Sequence, residues 1–323
     1  MSRRGWVLFA AMSVIWGMPY LLIKIAVGGV SAPVLVLARV AIGAALLAPF
    51  ALRRGQLAAL KPAWRWLVLF AFVEVIVPWL VLSEAERSIS SSLTGLLIAS
   101  VPILVAVIGL LIGSSDRLSP VRWTGLLIGL VGVALLAGPN LFGSGATTAV
   151  AKSVGEVLFV SLCYAAGPQI ANRKLNGISS VTMTVACLAL AAVVYAPLAA
   201  VSWPAHVPSA RVLLSIAGLA VVCTAAAFLL FFGLISEAGP ARASVITYIN
   251  PAIAVSLGVA VLGEKVTPIM LAAFATILVG SVLATRPART PAPADSPLEV
   301  PANGAREQTR TSTAAEADAV GTS

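Results

Sequence analysis

The sequence has 323 residues, of which 59% are hydrophobic and only 10% are charged, and its formal net charge is +9 at pH 7. Soluble domains carry about 25% charged residues, so this composition excludes an ordinary soluble protein. The mean hydropathy of +1.01 and the recurring long apolar runs indicate a chain that crosses a membrane several times. These runs are continuous and do not alternate with polar residues, so they predict transmembrane helices.

Taken in chain order, the apolar runs predict an all-α membrane protein with ten transmembrane helices. The first run is too long for a signal peptide and lacks a convincing cleavage site, so we expect a retained helix. A linker (139–152) separates a first five-helix repeat (1–138) from a second (153–285), and a cytoplasmic tail (286–323), rich in Pro and Ala, is expected to be disordered. The expected spans are 5–28, 31–51, 64–83, 89–112, 121–138, 153–173, 178–200, 211–235, 241–262 and 268–285.

Basic residues are distributed unevenly over the predicted loops. If the N-terminus is cytoplasmic, 15 Lys and Arg residues fall on the cytoplasmic side and 4 fall outside. The positive-inside rule therefore predicts that both termini are cytoplasmic in a bacterial plasma (inner) membrane. The same bias accounts for most of the positive net charge, so we do not expect nucleic-acid binding. The four basic residues on the outside are Arg87, Lys152, Arg211 and Lys265.

The two halves of the chain are related by an internal repeat. Asp116-Arg117-Leu118-Ser119-Pro120 closes one apolar run, and Glu264-Lys265-Val266-Thr267-Pro268 closes another 148 residues later. The same offset relates Trp16 to Tyr164 and Lys24 to Asn172. Because each half holds an odd number of spans, the second half is inverted relative to the first. Inverted repeats are common in secondary transporters, whose sites lie near the midplane between the repeats.

Several motifs resemble those of EamA-type transporters in the drug/metabolite transporter superfamily. They are Ile15-Trp16-Gly17 followed by Lys24, Ala38-Arg39 in the second span, and the Gly-Glu-Lys-Val-Thr-Pro closure at 263–268. The resemblance extends over about residues 5–286. It implies a central cavity formed by spans one to four and six to nine, with spans five and ten packed to the side. The first closure departs from the family pattern, since Ser115-Asp116 stands where Gly-Glu is usual, although the acid is kept.

Small residues line one face of the fifth span and one face of the tenth. Such faces allow helix backbones to approach closely in lipid. We expect the two faces to pack within one protomer, with a homodimer contact as the alternative, so the predicted state is a monomer or a homodimer. The residues are Gly125, Gly129 and Gly132 in the fifth span, and Ala272, Thr276, Gly280 and Ala284 in the tenth.

Polar and aromatic residues on the first and sixth spans are candidates for lining the cavity. In the first span they recur at i, i+4 and i+8, which places them on roughly one face. Pro19 and Pro168 remove backbone donors and are expected to kink these spans. For Tyr20 and Tyr164, core packing is an equally good interpretation. The candidates are Trp16, Tyr20, Lys24, Tyr164, Gln169 and Asn172.

Charges within a span are costly and therefore suggest a function. Arg39 in the second span and Glu74 in the third lie at similar predicted depths, so they could form a buried ion pair, which would serve either transport or helix register. Lys24 lies close enough to the outer end to reach the headgroups instead. In the ninth span, Tyr248 and Asn250 beside Pro251 complete the predicted substrate-binding set.

The leading hypothesis is a secondary transporter that exports a small metabolite, such as an amino acid or a related zwitterion, by alternating access between the two halves. The alternatives are efflux of lipophilic cations, attracted by Glu74, and a sensor or scaffold that transports nothing. A membrane enzyme is disfavoured, because His206 is the single histidine and no catalytic, metal-binding or nucleotide-binding motif is found. We therefore expect no catalytic residue, metal or cofactor, and the expected partners are a small-molecule substrate and the lipid bilayer.

Overall fold

The computed structural model describes residues 1–53, 56–111, 119–143 and 147–285, and these residues form ten apolar helices. Eight have the length and hydropathy of membrane spans, and α9 and α10 have 17 residues each, which at 1.5 Å per residue reach about 25 Å. The helices are α1 (Arg3–Ala26), α2 (Ala32–Leu52), α3 (Leu60–Ala85), α4 (Ser91–Leu111), α5 (Pro120–Phe142), α6 (Thr148–Lys174), α7 (Ser180–Val201), α8 (Ala210–Ala238), α9 (Ile246–Leu262) and α10 (Pro268–Ala284).

The ten helices form two inverted five-helix repeats, α1–α5 and α6–α10, as predicted. Successive helices run in opposite directions, which gives the molecule two ends. We name the end where the chain begins the N-side, and it holds Ser2, the turn Gln56–Ala59, and residues 175–179 and 239–245. The other end, the far side, holds residues 27–31, 86–90, 202–209 and 263–267. Residues 112–118, which include Asp116, Arg117 and Leu118 of the first closure, and the predicted disordered tail (286–323) lie outside the described residues.

The prolines act differently in the two repeats. Helix α1 is interrupted between Ile15 and Pro19, as expected for a residue that lacks an N–H donor. Helix α4 is likewise interrupted at Ala99 and Ser100, just before Pro102. The equivalent helices α6 and α9 continue through their prolines. The first of the two predicted prolines thus coincides with a break in its helix, whereas α6 continues through Pro168.

Helices α3 and α8, which are equivalent in the two repeats, each contain a π-helical segment. These segments are Phe72–Ile76 in α3 and Gly218–Ala226 in α8. A π-helical turn leaves backbone carbonyls without their usual partners and is frequent at functional sites. In this protein two side-chain hydroxyls satisfy such carbonyls: Tyr195 donates to Ile76 O, and Thr224 donates to Leu219 O at 2.8 Å.

Helix packing groups the spans across the repeats. Helices α1, α2, α8 and α9 form a first bundle, and α3, α4, α6 and α7 form a second bundle. The bundles meet where α2 packs along α7 and where α9 packs against Ser91–Ile98, the far-side half of α4. Each bundle therefore takes two helices from each repeat.

Helices α5 and α10 pack against each other and against α4 and α6 of the second bundle. A Cβ atom added to Gly280 would lie 2.3 Å from the backbone nitrogen of Gly129, and one added to Gly125 would lie 2.4 Å from Ala284 N. The prediction that the two small-residue faces pack within one protomer is thus confirmed. The expectation that spans five and ten stand to the side of the other eight is confirmed as well.

Candidate functional site

A buried arginine lies at the boundary between the two bundles. Arg39 of α2 is 8% exposed, and its guanidinium carbon lies 3.6 Å from the ring centroid of Trp79 on α3. Its Nε donates a hydrogen bond to Thr224 Oγ1 on α8 at 2.9 Å. A guanidinium over the face of a tryptophan is the strongest common cation–π geometry, and burial strengthens it. The charge is thereby held by an aromatic ring and a hydroxyl.

The ion pair considered between Arg39 and Glu74 is not formed. Within the part of the chain that the structure describes, Arg39 has no carboxylate partner. Two side chains at a similar depth in the membrane can still lie on helix faces that do not meet. Trp79, five residues beyond Glu74, faces Arg39, whereas Glu74 packs against Gly167 of α6.

Glu74 is packed against the backbone of α6. A Cβ atom added to Gly167 would lie 1.9 Å from Glu74 Oε2, so only a glycine leaves room for the carboxyl group there. Oε2 is buried and accepts no hydrogen bond from the described residues. A buried polar atom without a partner is costly and calls for an explanation. Glu74 therefore presents an acceptor that the described protein atoms do not use.

Two tyrosines complete the polar surroundings of Arg39. Tyr20 of α1 is 9% exposed and lies beside Gly95 of α4, since a Cβ atom there would approach its ring to 3.5 Å. Tyr164 of α6 packs against both large apolar clusters of the protein. Both phenols lie within electrostatic range of the Arg39 charge. We name Tyr20, Arg39, Trp79, Tyr164 and Thr224 the Arg39 cluster, and it draws on five helices and both bundles.

Trp16 and Asn250 hold α1 against its own bundle. The Trp16 ring centroid lies 4.5 Å from that of Phe231 on α8. The Asn250 amide, with its nitrogen assigned by the neighbouring acceptors, donates to Ser13 O at 3.1 Å and to Ile246 O at 2.9 Å. Gly17 allows this contact, because a Cβ atom there would lie 2.5 Å from Ile253 Cβ on α9. Trp16 and Asn250 therefore stabilise the position of α1 around its break between Ile15 and Pro19.

Three predicted residues lie toward the N-side, away from the Arg39 cluster. Gln169 lines a cavity of about 220 Å³ between α3, α4 and α6, together with Trp66 and Arg173. Asn172 is exposed, and the hydroxyl of Tyr248 lies 3.1 Å from that of Thr285 at the end of α10. The structure thus divides the predicted set into a central group, an N-side group and Lys24, which lies on the far side.

Lys24 belongs to the far side. Its Nζ donates to the carbonyl oxygens of Glu86 at 2.5 Å and Ile89 at 2.8 Å, in the turn between α3 and α4. In the same region, Arg87 donates to Val30 O at 3.0 Å, in the turn between α1 and α2. Both contacts join the first bundle to the second.

Glu264, from the closure after α9, binds the N-terminus of α4. Its carboxylate accepts hydrogen bonds from Ser91 N and Oγ at 2.8 and 2.9 Å, and from Ser92 N and Oγ at 2.8 and 2.5 Å. Burial acts to raise the pKa of Glu264, but these four hydrogen bonds outweigh burial and hold the pKa below its ordinary value. We name Glu264, Ser91 and Ser92 the far-side clasp. A carboxylate at a helix N-terminus also interacts favourably with the helix dipole.

Sequence reasoning did not assign Trp79, Thr224, Glu86 or the far-side clasp. The signals for some of them were present, since Glu264 lies in the repeated closure and Glu86 lies in the charged turn that opens the fourth span. Each partner, however, comes from a distant part of the chain. Glu264 and Ser91, for example, are 173 residues apart in sequence. Only the folded arrangement identifies such pairs.

Ten helices in two inverted repeats, with a buried cationic cluster between two mixed bundles, define a multi-pass membrane protein built in the manner of secondary transporters. The model of the EamA-like transporter family matches residues 3–138 and 153–286. The chain therefore belongs to this family, within the drug/metabolite transporter superfamily.

Known relatives agree with this assignment. The chain is 28% identical over 282 residues to the "Uncharacterized inner membrane transporter YedA" of Escherichia coli strain K12, which covers 85% of this chain and 88% of the relative. The protein of the same name from Escherichia coli O157:H7 matches to the same extent. A solved structure titled "Crystal structure of protein" has a TM-score of 0.62 at 20% identity and covers 88% of this chain and 97% of its own. At that identity the likeness supports the fold alone.

Proposed function

We propose that this protein is a secondary transporter that exports a small metabolite bearing a carboxylate, such as an amino acid or a related zwitterion. The observation that carries the proposal is the Arg39 guanidinium, which is buried between two bundles without a carboxylate partner among the described residues. A buried charge without a counter-ion is costly, and Arg is well suited to binding a carboxylate. A substrate carboxylate would supply that counter-ion.

The other members of the site fit a zwitterion. Glu74 offers a buried carboxyl oxygen that could accept a hydrogen bond from a substrate ammonium group. Tyr20, Trp79 and Tyr164 offer aromatic surface and hydroxyl groups for the remainder of the molecule. Arg39 with Trp79 would thus select the negative end of the substrate, and Glu74 the positive end.

The packing suggests which bodies move during transport. The internal repeat predicts that one half rocks against the other, whereas the helices group into two bundles that each contain helices from both repeats. We infer alternating access by rocking of the first bundle against the second about the apolar contact of α2 with α7. The far side is closed by hydrogen bonds between the bundles and by the contact of α9 with the far-side half of α4. We therefore interpret the structure as the state that is closed on the far side.

The direction of transport follows from the proposed orientation. The positive-inside bias supports a cytoplasmic N-side and an external far side, and both termini then lie in the cytoplasm of a bacterial cell. The described state would therefore be closed to the outside. The cavity beside Gln169 lies on the N-side, the proposed cytoplasmic end, within the second bundle and apart from the Arg39 cluster.

Proteoliposomes that contain the purified protein test the proposal. Labelled amino acids and cationic dyes are screened in parallel, with Arg39→Gln and, as a matched control, the exposed far-side Arg211→Gln. We expect wild-type protein and Arg211→Gln to move a carboxylate-bearing solute. Arg39→Gln should lower that rate about ten-fold or more, since a hydrogen bond to a charged group contributes about 1.5–3 kcal/mol. A folded Arg39→Gln variant with the wild-type rate would refute the assignment.

Efflux of lipophilic cations is the second candidate function, and the unused carboxyl oxygen of Glu74 is the observation that favours it. In that case the same screen would show transport of dyes and not of amino acids. Glu74→Gln would abolish it, and Arg39→Gln would leave it intact.

A further inference from the structure

Glu86 is the most deeply buried acidic residue on the far side. It directly follows α3, its exposed fraction is 0%, and neither Oε1 nor Oε2 accepts a hydrogen bond from the described residues. An isolated buried carboxylate is far costlier than a neutral carboxylic acid. Two residues earlier, Glu84 is exposed and forms an ion pair with Arg87 at 3.0 Å. The two acids of one turn therefore occupy opposite environments.

Two charged groups of the first bundle face Glu86, but their hydrogen bonds are already used. From α1, Lys24 Nζ is directed at the backbone carbonyls of Glu86 and Ile89, and Tyr20 lies within electrostatic range. From the segment after α9, Glu264 adds a negative charge that is held by the far-side clasp. Burial raises the pKa of Glu86 well above its ordinary value, the Lys24 charge opposes that shift, and the Glu264 charge adds to it.

We propose that Glu86 is a proton-binding site of the far-side closure, and that it holds a proton while the far side is closed and releases it when the far side opens. The site lies where Lys24 and Glu264, both carried by the first bundle, meet the α3–α4 turn of the second. Separation of the bundles at this point would admit water to the carboxyl group. The ligand is a proton taken from the solution on the far side.

The sign of the pH dependence follows from this burial. The closed state binds the proton more tightly than an open, hydrated state, so acid favours closure, and closure weakens as the pH rises toward the raised pKa of Glu86. Glu264 has a lowered pKa and stays charged over that range. The inference rests on the proposed transport function and deepens it, because acid on the far side would then favour the return of the closed state.

Distances between labels on the two bundles test the proposal without any substrate. Spin labels are placed on Lys152→Cys at the far-side end of α6 and Arg211→Cys at the far-side end of α8, with the three buried cysteines replaced. We expect two populations of molecules, one with a short and one with a long distance between the labels. Between pH 5 and 9 the ratio of the short-distance to the long-distance population should fall, by at most about ten-fold per pH unit. Glu86→Gln, a neutral isostere, should give the short distance throughout. Glu84→Gln is the matched control and should follow the wild type.

Infrared spectroscopy supplies a second measurement. Wild-type protein at neutral pH should show the carbonyl stretch of a protonated carboxylic acid, and this band should be weaker in Glu86→Gln but not in Glu84→Gln. A folded Glu86→Gln variant that keeps the wild-type pH dependence of the distances would overturn the proposal. So would a wild-type protein whose distances do not change with pH. Failure of the proposed function is a separate result: no solute would be moved, while the pH-dependent distances would still vanish in Glu86→Gln.

Discussion

On the far side, Lys24 and Glu264 form hydrogen bonds that cross from the first bundle to the second. On the N-side, two of the described hydrogen bonds do not join the two bundles. The Ser2 hydroxyl binds Glu237 within the first bundle, and the Tyr248 hydroxyl binds Thr285 at the end of α10. Helix α9 also meets α4 through its far-side half. The described hydrogen bonds that cross between the bundles on the far side have to be broken before this end can open.

The largest expected effect concerns the assignment of the two ends to the two sides of the membrane. Single cysteines are introduced by Ser209→Cys, just before α8 on the far side, and by Ser119→Cys, just before α5 on the N-side. With an impermeant thiol reagent we expect all-or-none labelling, Ser209→Cys from outside the cell and Ser119→Cys only from inside. The unsubstituted protein is the control, since Cys163, Cys187 and Cys223 are buried. Labelling of both positions from one side would contradict the inverted arrangement.

Removing the charge of the far-side clasp should produce the next largest effect. Glu264→Gln loses charge-assisted hydrogen bonds from Ser91 and Ser92 at the N-terminus of α4. Loss of a helix cap costs about 1–2 kcal/mol, which would shift the balance toward an open far side about ten-fold. The Lys152–Arg211 label distances measure this shift. Neighbouring Lys265→Gln, which alters an exposed residue, should leave the distances unchanged, and equal behaviour of the two variants would contradict the role of the clasp.

The elements that sequence reasoning predicted correctly depend on local pattern. Hydrophobic run length gave the ten helices, and the glycine spacing of α5 gave its close contact with α10. The break before Pro19 was also expected, because proline removes a local backbone hydrogen bond. Helix α6, by contrast, is continuous through Pro168, so a proline alone does not decide whether a span is interrupted.

The candidate site was only partly predictable, because it depends on which helix faces meet. Arg39 was recognised as a buried charge, but its partner Trp79 lies on another helix, α3. Depth along a helix can be counted from the sequence, whereas the helix faces that meet across the fold cannot. Glu86, which lies in a charged turn, likewise proves to be fully buried.

A steric change at the clasp should have a smaller effect than removal of the charge. In Gly258→Ala the added Cβ would lie 2.4 Å from Glu264 Oε2 and 2.5 Å from Ser92 Oγ. Both side chains can shift, so we expect a loss of about 1 kcal/mol in the stability of the closed state, at the low end of the cost of overpacking. Thermal unfolding and the label distances measure it. Gly155→Ala in α6 is the matched control, because its Cβ would meet nothing within 4 Å.

The smallest effect is expected from a single neutral hydrogen bond on the same side. The Ser31 hydroxyl, just before α2, lies 2.9 Å from Ser202 Oγ and donates to Ser202 O at 3.1 Å, at the end of α7. A neutral hydrogen bond contributes about 0.5–1.5 kcal/mol, so Ser31→Ala should shift the label distances toward the open state by about two- to ten-fold. Ser256→Ala is the matched control, because its hydroxyl binds Ala252 O within α9 and joins no second bundle. Equal opening of the far side in Ser256→Ala and Ser31→Ala would show that hydrogen bonds between the bundles do not hold this end closed. The contrast between the two ends would then rest on the packing of α4 against α9 alone.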